Sequence, residues 1–450
     1  MYAQDSLNLD VLVNSAEEYV LKHDRQMFLP LLRAVEQFAH DKGILIGGRT
    51  GSYALCDNPL VGVDVSLWIL ELFSFNIEQD MKDCLTYLTE KMRELSTEEF
   101  KAQQTRPENI YQGDYRTIVL RTTVEEREYS LWADYRLIAI GRSLGERKGI
   151  DITSIIHPVV RKGPFGTDGI NVMPVDLQIM RVAHMLCDPT NASSWEKILV
   201  PQLVDLFAKC DESASTSGGG DSIEPPNKDE SLDDSHFDLD AGVIIGEQAV
   251  EYYIGVPVGK HVRKQYICSF TGLDEYIAAN GMTMRYADLR VPDDFRVRKV
   301  VLHRDGRDGR DEVVADLFNT SSYEPIPVNF ARNGPLKGRK IASPFTVLRF
   351  LFIDIWALSF IIAASRDSSS GVLGRQTFLR KLARRLFDWI QTKCPVSKLF
   401  PTEYTGIFIP EGAAKRQVKA SRSMIRVVSM VPKKDLIVLR ENIMHNMMSI

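Results

Sequence analysis

One pattern occurs twice in this chain and constrains its fold more than any other. Residues 44–55 read ILIGGRTGSYAL and residues 243–254 read VIIGEQAVEYYI. Each is a short apolar run, a glycine, and then a stretch with helical spacing. A strand that passes into a helix through glycine presents backbone N–H groups at a helix start, with no Cβ to hold an approaching anion away. Seen twice, the pattern predicts two tandem copies of one α/β (α+β) unit. A chain of 450 residues is also too long for one ordinary core, so two or three domains are expected.

Between the copies lies residues 211–240, DESASTSGGGDSIEPPNKDESLDDSHFDLD, with ten Asp and Glu against one Lys, a local charge of −9. Its low apolar content cannot bury enough surface to order the segment, and it reads as an acidic flexible linker. The expected organisation is therefore N-terminal helices over 1–42, a first α/β unit over 43–210, and the linker over 211–240. A second, degenerate unit with a helical part follows over 241–410, and a basic segment over 411–450.

Periodicity fills in the elements. Residues 10–42 carry apolar positions at helical spacing, as do Ile77–Glu94 and Asp176–Cys187, and Asp188-Pro189 stops the last of these. Ser193 and Ser194 are placed to cap a further helix to about Lys209. Tyr115–Thr123 and Glu128–Ile140 alternate as strands. In the second copy, Lys264–Phe270 and Lys299–Leu302 read as strands, and Glu312–Phe318 takes the place of Tyr129–Leu137. Thr346–Ala364 and Arg375–Cys394 are long helices. Phe345–Ala364 is apolar enough to suggest a membrane span, but Arg349 and Asp354 inside it are costly at bilayer depth. A core helix with that Arg and Asp paired is the better reading, and no membrane partner is expected.

Hydrophobic residues at 44% and charged residues at 26% place the chain among soluble globular proteins. Its six cysteines form no C-x-x-C and its eight histidines no metal-ligand spacing, which points to reduced thiols in an intracellular protein rather than disulfides or structural zinc. The N-terminus MYAQDSLNLD has neither a basic nor an apolar leader region, so secretion is not expected. The net charge of −5 conceals an asymmetry, because residues 331–450 hold 21 Lys and Arg against 7 Asp and Glu. That excess, with Lys415, Arg416, Lys419, Arg422 and Arg426 clustered late in it, fits either a polyanion such as RNA or a solvated basic surface.

Candidate chemistry concentrates in the first copy. Gly47-Gly48 and Gly51-Ser52 are the candidate turns; the strand at Ile44–Ile46 favours Gly47-Gly48 and leaves Ser52 on the helix. Metal-assisted transfer of a phosphoryl or nucleotidyl group needs carboxylates converging on one point. Two carboxylates at i and i+2 of a strand share a face, and a third comes from a neighbouring strand. Asp64 is the first candidate, with eleven residues between it and Ser52 and fifteen between it and Gly48. Asp134, in LWADYRLIA, is the candidate from the neighbouring strand. The i+2 position is Ser66, whose neutral hydroxyl is a weak Mg2+ ligand. Glu71 and Asp57 are the nearest other acids, and neither stands at i+2 from Asp64. No Walker, dinucleotide-binding, zinc-protease or nucleophile-elbow motif is present. The second copy reads Gly246-Glu247 with no Asp-x-Asp after it, as expected of scaffold.

An apolar strand, a Gly-rich turn, a helix and a strand with Asp64 resemble the opening of polymerase-beta-type nucleotidyltransferases. More widely, the chain resembles the poly(A) polymerase catalytic subunits of large cytoplasmic DNA viruses, of the mimivirus and African swine fever virus type. The resemblance runs over roughly residues 40–410 and is carried also by Ile170–Lys197, Val314–Pro327 and Phe345–Trp356. It implies two nucleotidyltransferase-like domains of which only the first is active, adding AMP from ATP to the 3′ end of mRNA with Mg2+ or Mn2+. Gly47, Gly48 and Ser52 would lie at the nucleotide, and Asp64 and Asp134 would be metal ligands. Ser66 would stand at the second ligand position. The implied partners are the RNA 3′ end and ATP, with a homodimer or a viral transcription-associated subunit as the protein assembly. The implied setting is the viral factory in the host cytoplasm, with packaging in the virion. Two readings stand at this point: a polyadenylating enzyme with Ser66 or another acid completing its metal shell, or an inactive paralogue kept for RNA binding or assembly. Trp195, Trp356, Tyr323-Glu324-Pro325 and the Arg349/Asp354 pair are expected to be core contacts.

Overall fold

The first strand is short because its sequence turns at once. In the computed structural model, a helix over residues 30–42 (α1) ends at Gly43, which takes a left-handed φ of 66°. There Ile44 N–H donates to Ala39 O at 2.8 Å and Gly43 N–H to His40 O at 3.0 Å, closing the helix and aiming the chain into β1 (Leu45–Gly47). β1 runs without a loop into α2 (Gly48–Cys56). The structure describes residues 30–56, 70–74, 77–94, 100–105, 116–122, 134–143, 159–187, 199–215, 239, 242–257, 262–270, 273–287, 289, 297–305, 311–320, 326–364, 370–394, 396–399 and 403–405.

The chain divides into two compact units, with the boundary between Pro174 and Val175. In the first unit, β2 (Leu70–Ser74), α3 (Ile77–Glu94), β3 (Phe100–Thr105), β4 (Arg116–Thr122), β5 (Asp134–Ser143), β6 (Val159–Arg161) and β7 (Ile170–Val172) follow α2. Their sheet has the order β3-β4-β5-β2-β1-β7-β6. β1 is antiparallel to β2 and parallel to β7, and β2 is parallel to β5. Glu36 of α1 fixes the turn between β6 and β7. It is fully buried, and its carboxylate accepts the N–H groups of Phe165 at 3.2 Å and Thr167 at 2.9 Å. Burial raises its pKa despite those two N–H donors.

The second unit opens with α4 (Val175–Cys187) and α5 (Val200–Ser215) and then builds the same sheet again. Its elements are β8 (Val243–Ile245), α6 (Gly246–Ile254), β9 (Gln265–Ile267), α7 (Leu273–Ala279), β10 (Met282–Ala287), β11 (Arg298–Asp305), β12 (Asp311–Asn319), β13 (Ile326–Phe330) and β14 (Lys340–Ala342). They are followed by α8 (Pro344–Ala364), α9 (Ser370–Thr392), α10 (Val396–Leu399) and β15 (Glu403–Thr405). The order β10-β11-β12-β9-β8-β14-β13-β15 repeats the first sheet strand for strand and adds β15 at one edge. Pair directions repeat as well: β8 is antiparallel to β9 and parallel to β14, and β9 is parallel to β12. The duplication read from the two Gly-containing stretches is thus the architecture of the molecule. α6, like α1, ends on a left-handed glycine, Gly255 at φ 72°, whose N–H donates to Glu251 O at 2.8 Å.

The second core sits between this sheet and the helices α4, α5, α8 and α9. Phe207 stacks on Phe387 at 4.2 Å between centroids and meets Phe352 edge-on at 5.7 Å. Arg380 of α9 forks onto both oxygens of Asp176 in α4, at 2.6 and 2.5 Å, and Cys187 Sγ lies 3.2 Å from Thr346 Oγ1. α8 is a buried core helix as expected, and no described helix is long and apolar enough to cross a membrane. Its Arg349 and Asp354 are both buried, but they are not paired with each other. Asp354 turns instead to Lys299 Nζ at 2.7 Å and Gln265 Nε2 at 2.7 Å. The sequence could not reveal this, because the five-residue separation on one helix says nothing of the strands that the Asp reaches. Trp356 is a core aromatic, and all six cysteines are free. α5 continues to Ser215, past the Lys209 expected from its periodicity. Trp195, residues 323–325, the basic cluster at 415–426 and nearly all of the acidic linker lie outside the described residues.

Candidate active site in the first unit

The Gly47-Gly48 turn is the turn the sequence favoured, and the packing explains why both residues are glycine. Gly48 has φ 61°, a conformation that L side chains rarely adopt. A Cβ on it would lie 2.6 Å from Glu71 Cδ and 2.8 Å from Glu71 Oε2. A Cβ on Gly47 would collide with the ring of Phe73. Strand β2 therefore presses on the turn from one side, and glycine is what allows it. Ser52 sits one turn into α2 with its hydroxyl donating to Gly48 O at 2.9 Å.

The carboxylate found at this turn is Glu71, which sequence reasoning passed over. It pairs in register with Gly47 across the antiparallel β1–β2 ladder, so its position follows from strand pairing. The i+2 rule applied to Asp64 looks along a single strand and misses a residue that arrives from across the ladder. The available signal was an acid in the middle of an apolar run, WILELF, where an unneeded charge would be costly. Asp64 and Ser66 lie outside the described residues. Asp134 opens β5, its backbone paired with Arg121 of β4. On the other side of β5, Glu71 is level with Ala139.

Beside the turn, Arg49 is half-buried, donates from Nε and Nη2 to Tyr53 Oη at 3.2 and 3.0 Å, and lies over that ring. The start of α2 thus combines helix N–H groups, the positive end of the helix dipole and a guanidinium, an arrangement that suits phosphate. Among the described residues no three His, Cys, Asp or Glu groups assemble as a metal site. Among the described residues Glu71 supplies the carboxylate at the turn, and it packs into the space that the bare backbone of Gly48 leaves. This donor type fits a hard divalent cation.

The second unit places different residues at the same points. Gly246 repeats the left-handed φ, at 63°, and Gln265 stands where Glu71 stands, level with Ile245 on β8. Glu247 follows the glycine where the first unit has Arg49. Gln265 is level with Asp316 of β12, so Asp316 corresponds to Ala139 and not to Asp134. β12 and β5 hold equivalent places in their sheets, as the sequence suggested, but their Ala-Asp dipeptides at 315–316 and 133–134 are not level.

No family model matches the chain. An uncharacterized protein of African swine fever virus, from a Malawi tick isolate, is 21% identical over 381 residues, covering 80% of this chain and 82% of that protein. Its counterpart from a South African tick isolate is 21% identical over 376 residues with the same coverage. Among solved structures, the Megavirus polyadenylate synthase superposes with a TM-score of 0.55 at 12% identity, over 98% of this chain and 90% of that one. The chain thus shares the fold of that structure, built here from two tandem copies of one α/β unit.

Proposed function

We propose that the first unit is a nucleotidyltransferase that transfers AMP from ATP to the 3′ end of RNA. The observation that carries this reading is the Glu71 carboxylate poised over the Gly47-Gly48 turn at the start of α2. The likeness of the fold to a viral polyadenylate synthase supports this reading of the reaction class. In this reading the helix start and Arg49 receive the triphosphate, because backbone N–H groups and the helix dipole there attract an anion beside the guanidinium. Glu71 is held rigidly by the β1–β2 ladder and Asp64 joins it as a ligand, so that Ser66 is not required; Asp134, five residues along β5 from the level of Glu71, stands too far along that strand to share its metal. When bound, Mg2+ or Mn2+ supplies Lewis-acid stabilisation of the charge that develops on the phosphoryl oxygens. The basic C-terminal third, with its excess of Lys and Arg, supplies the surface for the RNA backbone.

The test is extension of a labelled oligonucleotide RNA by the purified chain with ATP and either Mg2+ or Mn2+. Ladders of added AMP are expected, and they should disappear in Glu71→Gln. No extension in either metal would overturn the proposal. RNA binding that persists without extension would identify instead a non-catalytic RNA-binding subunit.

A further inference from the structure

The second unit encloses a cluster of charges beside its own glycine turn, where Glu247 and Gln265 stand in the places of Arg49 and Glu71. Three carboxylates meet there: Asp316 on β12, Asp354 on α8 and Glu247 at the start of α6. All three are buried. Arg263 Nη2 donates to Asp316 Oδ1 at 2.8 Å, and its Nε lies 2.8 Å from Oδ2. Lys299 Nζ lies 3.0 Å from Asp316 Oδ2 and 2.7 Å from Asp354 Oδ1. Gln265 Nε2 donates to Asp316 Oδ2 at 3.1 Å and to Asp354 Oδ2 at 2.7 Å. Glu247 is ion-paired with Arg375 through Oε1 and accepts the Arg263 N–H at 3.3 Å through Oε2. Every oxygen of the three carboxylates is met by a protein donor, and three cations balance three anions.

The arrangement parallels that of an occupied transfer site. An ammonium bridges carboxylates from a strand and a helix, which is the position a divalent cation takes between two acidic ligands. Over the turn, a Cβ on Gly246 would overlap Gln265 Oε1. The amide therefore fills the space that Gly246 leaves, and the Glu247 carboxylate adds negative charge at the helix start, where a phosphate would otherwise be attracted. Burial raises the pKa of Asp316, but Arg263 and Lys299 outweigh it and hold that carboxyl well below the usual carboxylate range.

We propose that the second unit is a self-occupied transfer site, in which Lys299 and Arg263 take the place of the divalent cation and Gln265 and Glu247 take that of the phosphate. It binds neither Mg2+ or Mn2+ nor a nucleoside triphosphate, and its own ion cluster holds β9, β11, β12 and α8 together without metal. Removing Lys299 uncovers a latent cation site between Asp316 and Asp354. This does not depend on the first unit being active.

The test counts bound Mn2+ by the loss of its free EPR signal in the full chain carrying Glu71→Gln, which suppresses the contribution of the first unit. Adding Lys299→Ala should raise bound Mn2+ by about one per chain, and adding Asp354→Asn to that pair should remove the gain. The proposal is overturned if Lys299→Ala gains no Mn2+, or if the chain with Lys299 intact holds an Mn2+ that Asp316→Asn abolishes. Should Lys299→Ala fail to fold, amide hydrogen exchange of the chain carrying Glu71→Gln alone gives a second reading. Protection of the β12 and α8 peptides should be the same in EDTA and in Mn2+ with ATP, and protection that rises with Mn2+ and ATP would overturn it. These readouts follow the second unit alone, so a failed extension assay leaves them unchanged.

Discussion

The two units use one backbone turn with different charges around it. In the first, Gly48 is followed by Arg49 and faced by the Glu71 carboxylate; in the second, Gly246 is followed by Glu247 and faced by the Gln265 amide. Both glycines have a positive φ near 60°, both open nine-residue helices, and both follow three-residue buried strands. The shape of the turn is therefore set by the crossing of β1 or β8 into its helix and by the close approach of the next strand. Its chemistry is set by two side chains that the fold does not dictate. A cation beside the helix start with a carboxylate across the ladder invites phosphate and metal. A carboxylate beside the helix start with a neutral amide across the ladder offers neither attraction.

The strongest way to break this contrast is to give the first unit the amide of the second. Glu71→Gln is expected to reduce AMP addition by about 10³-fold or more, the loss of several kcal/mol of charge stabilisation. The same change should move the denaturant midpoint by only about 1 kcal/mol or less. A variant that still extends RNA at the original rate would show that the turn is not the site. In the second unit the large effect should be on stability. Lys299→Met leaves Asp316 and Asp354 buried without their shared ammonium and should cost about 3–5 kcal/mol in urea unfolding. An unchanged midpoint would mean that the cluster is not what holds α8 to the strands.

Acid should sharpen the same point. The folded pKa of Asp316 lies below its ordinary 3.8, so the ionised form stabilises the folded state. That contribution is present above 3.8 and is lost as the pH falls below it. The stability gap between the unsubstituted chain and Asp316→Asn should therefore be full at neutral pH and narrow only in strong acid. A gap that closed near neutrality would contradict the ion pairing. A smaller effect is expected from Gly48→Ala, which meets both an unfavourable φ and the Glu71 carboxyl and should cost about 1–3 kcal/mol by chemical denaturation. Gly255→Ala, whose Cβ would meet nothing within 4 Å, should cost less.

The sequence carried the duplication because strand, glycine and helix are local and leave a local trace at Ile44–Leu55 and Val243–Ile254. It carried α3 from Ile77 to Glu94 without error, since one apolar stripe defines both ends of that helix. What depended on contacts between strands was not legible. Glu71 faces the turn only through the register of β1 against β2, and a one-residue slip would have turned it to the other face. Asp354 was assigned to Arg349 because they share a helix, whereas the tertiary contacts assign it to Lys299 and Gln265. α4 and α5, read as the end of the first unit, lie in the second by the division of the chain at Pro174/Val175, where Asp176 meets Arg380. That partnership spans more than two hundred positions and leaves no periodic signal.

The buried cluster in the second unit also has an evolutionary consequence. Its charges balance only as a set, so any single substitution among them, Lys299→Ala included, leaves buried groups unmatched. Gln265→Glu alone would place a fourth carboxylate among three, and loss of Lys299 alone would strip two of them of a partner. A chain carrying the cluster can therefore change these buried positions only together.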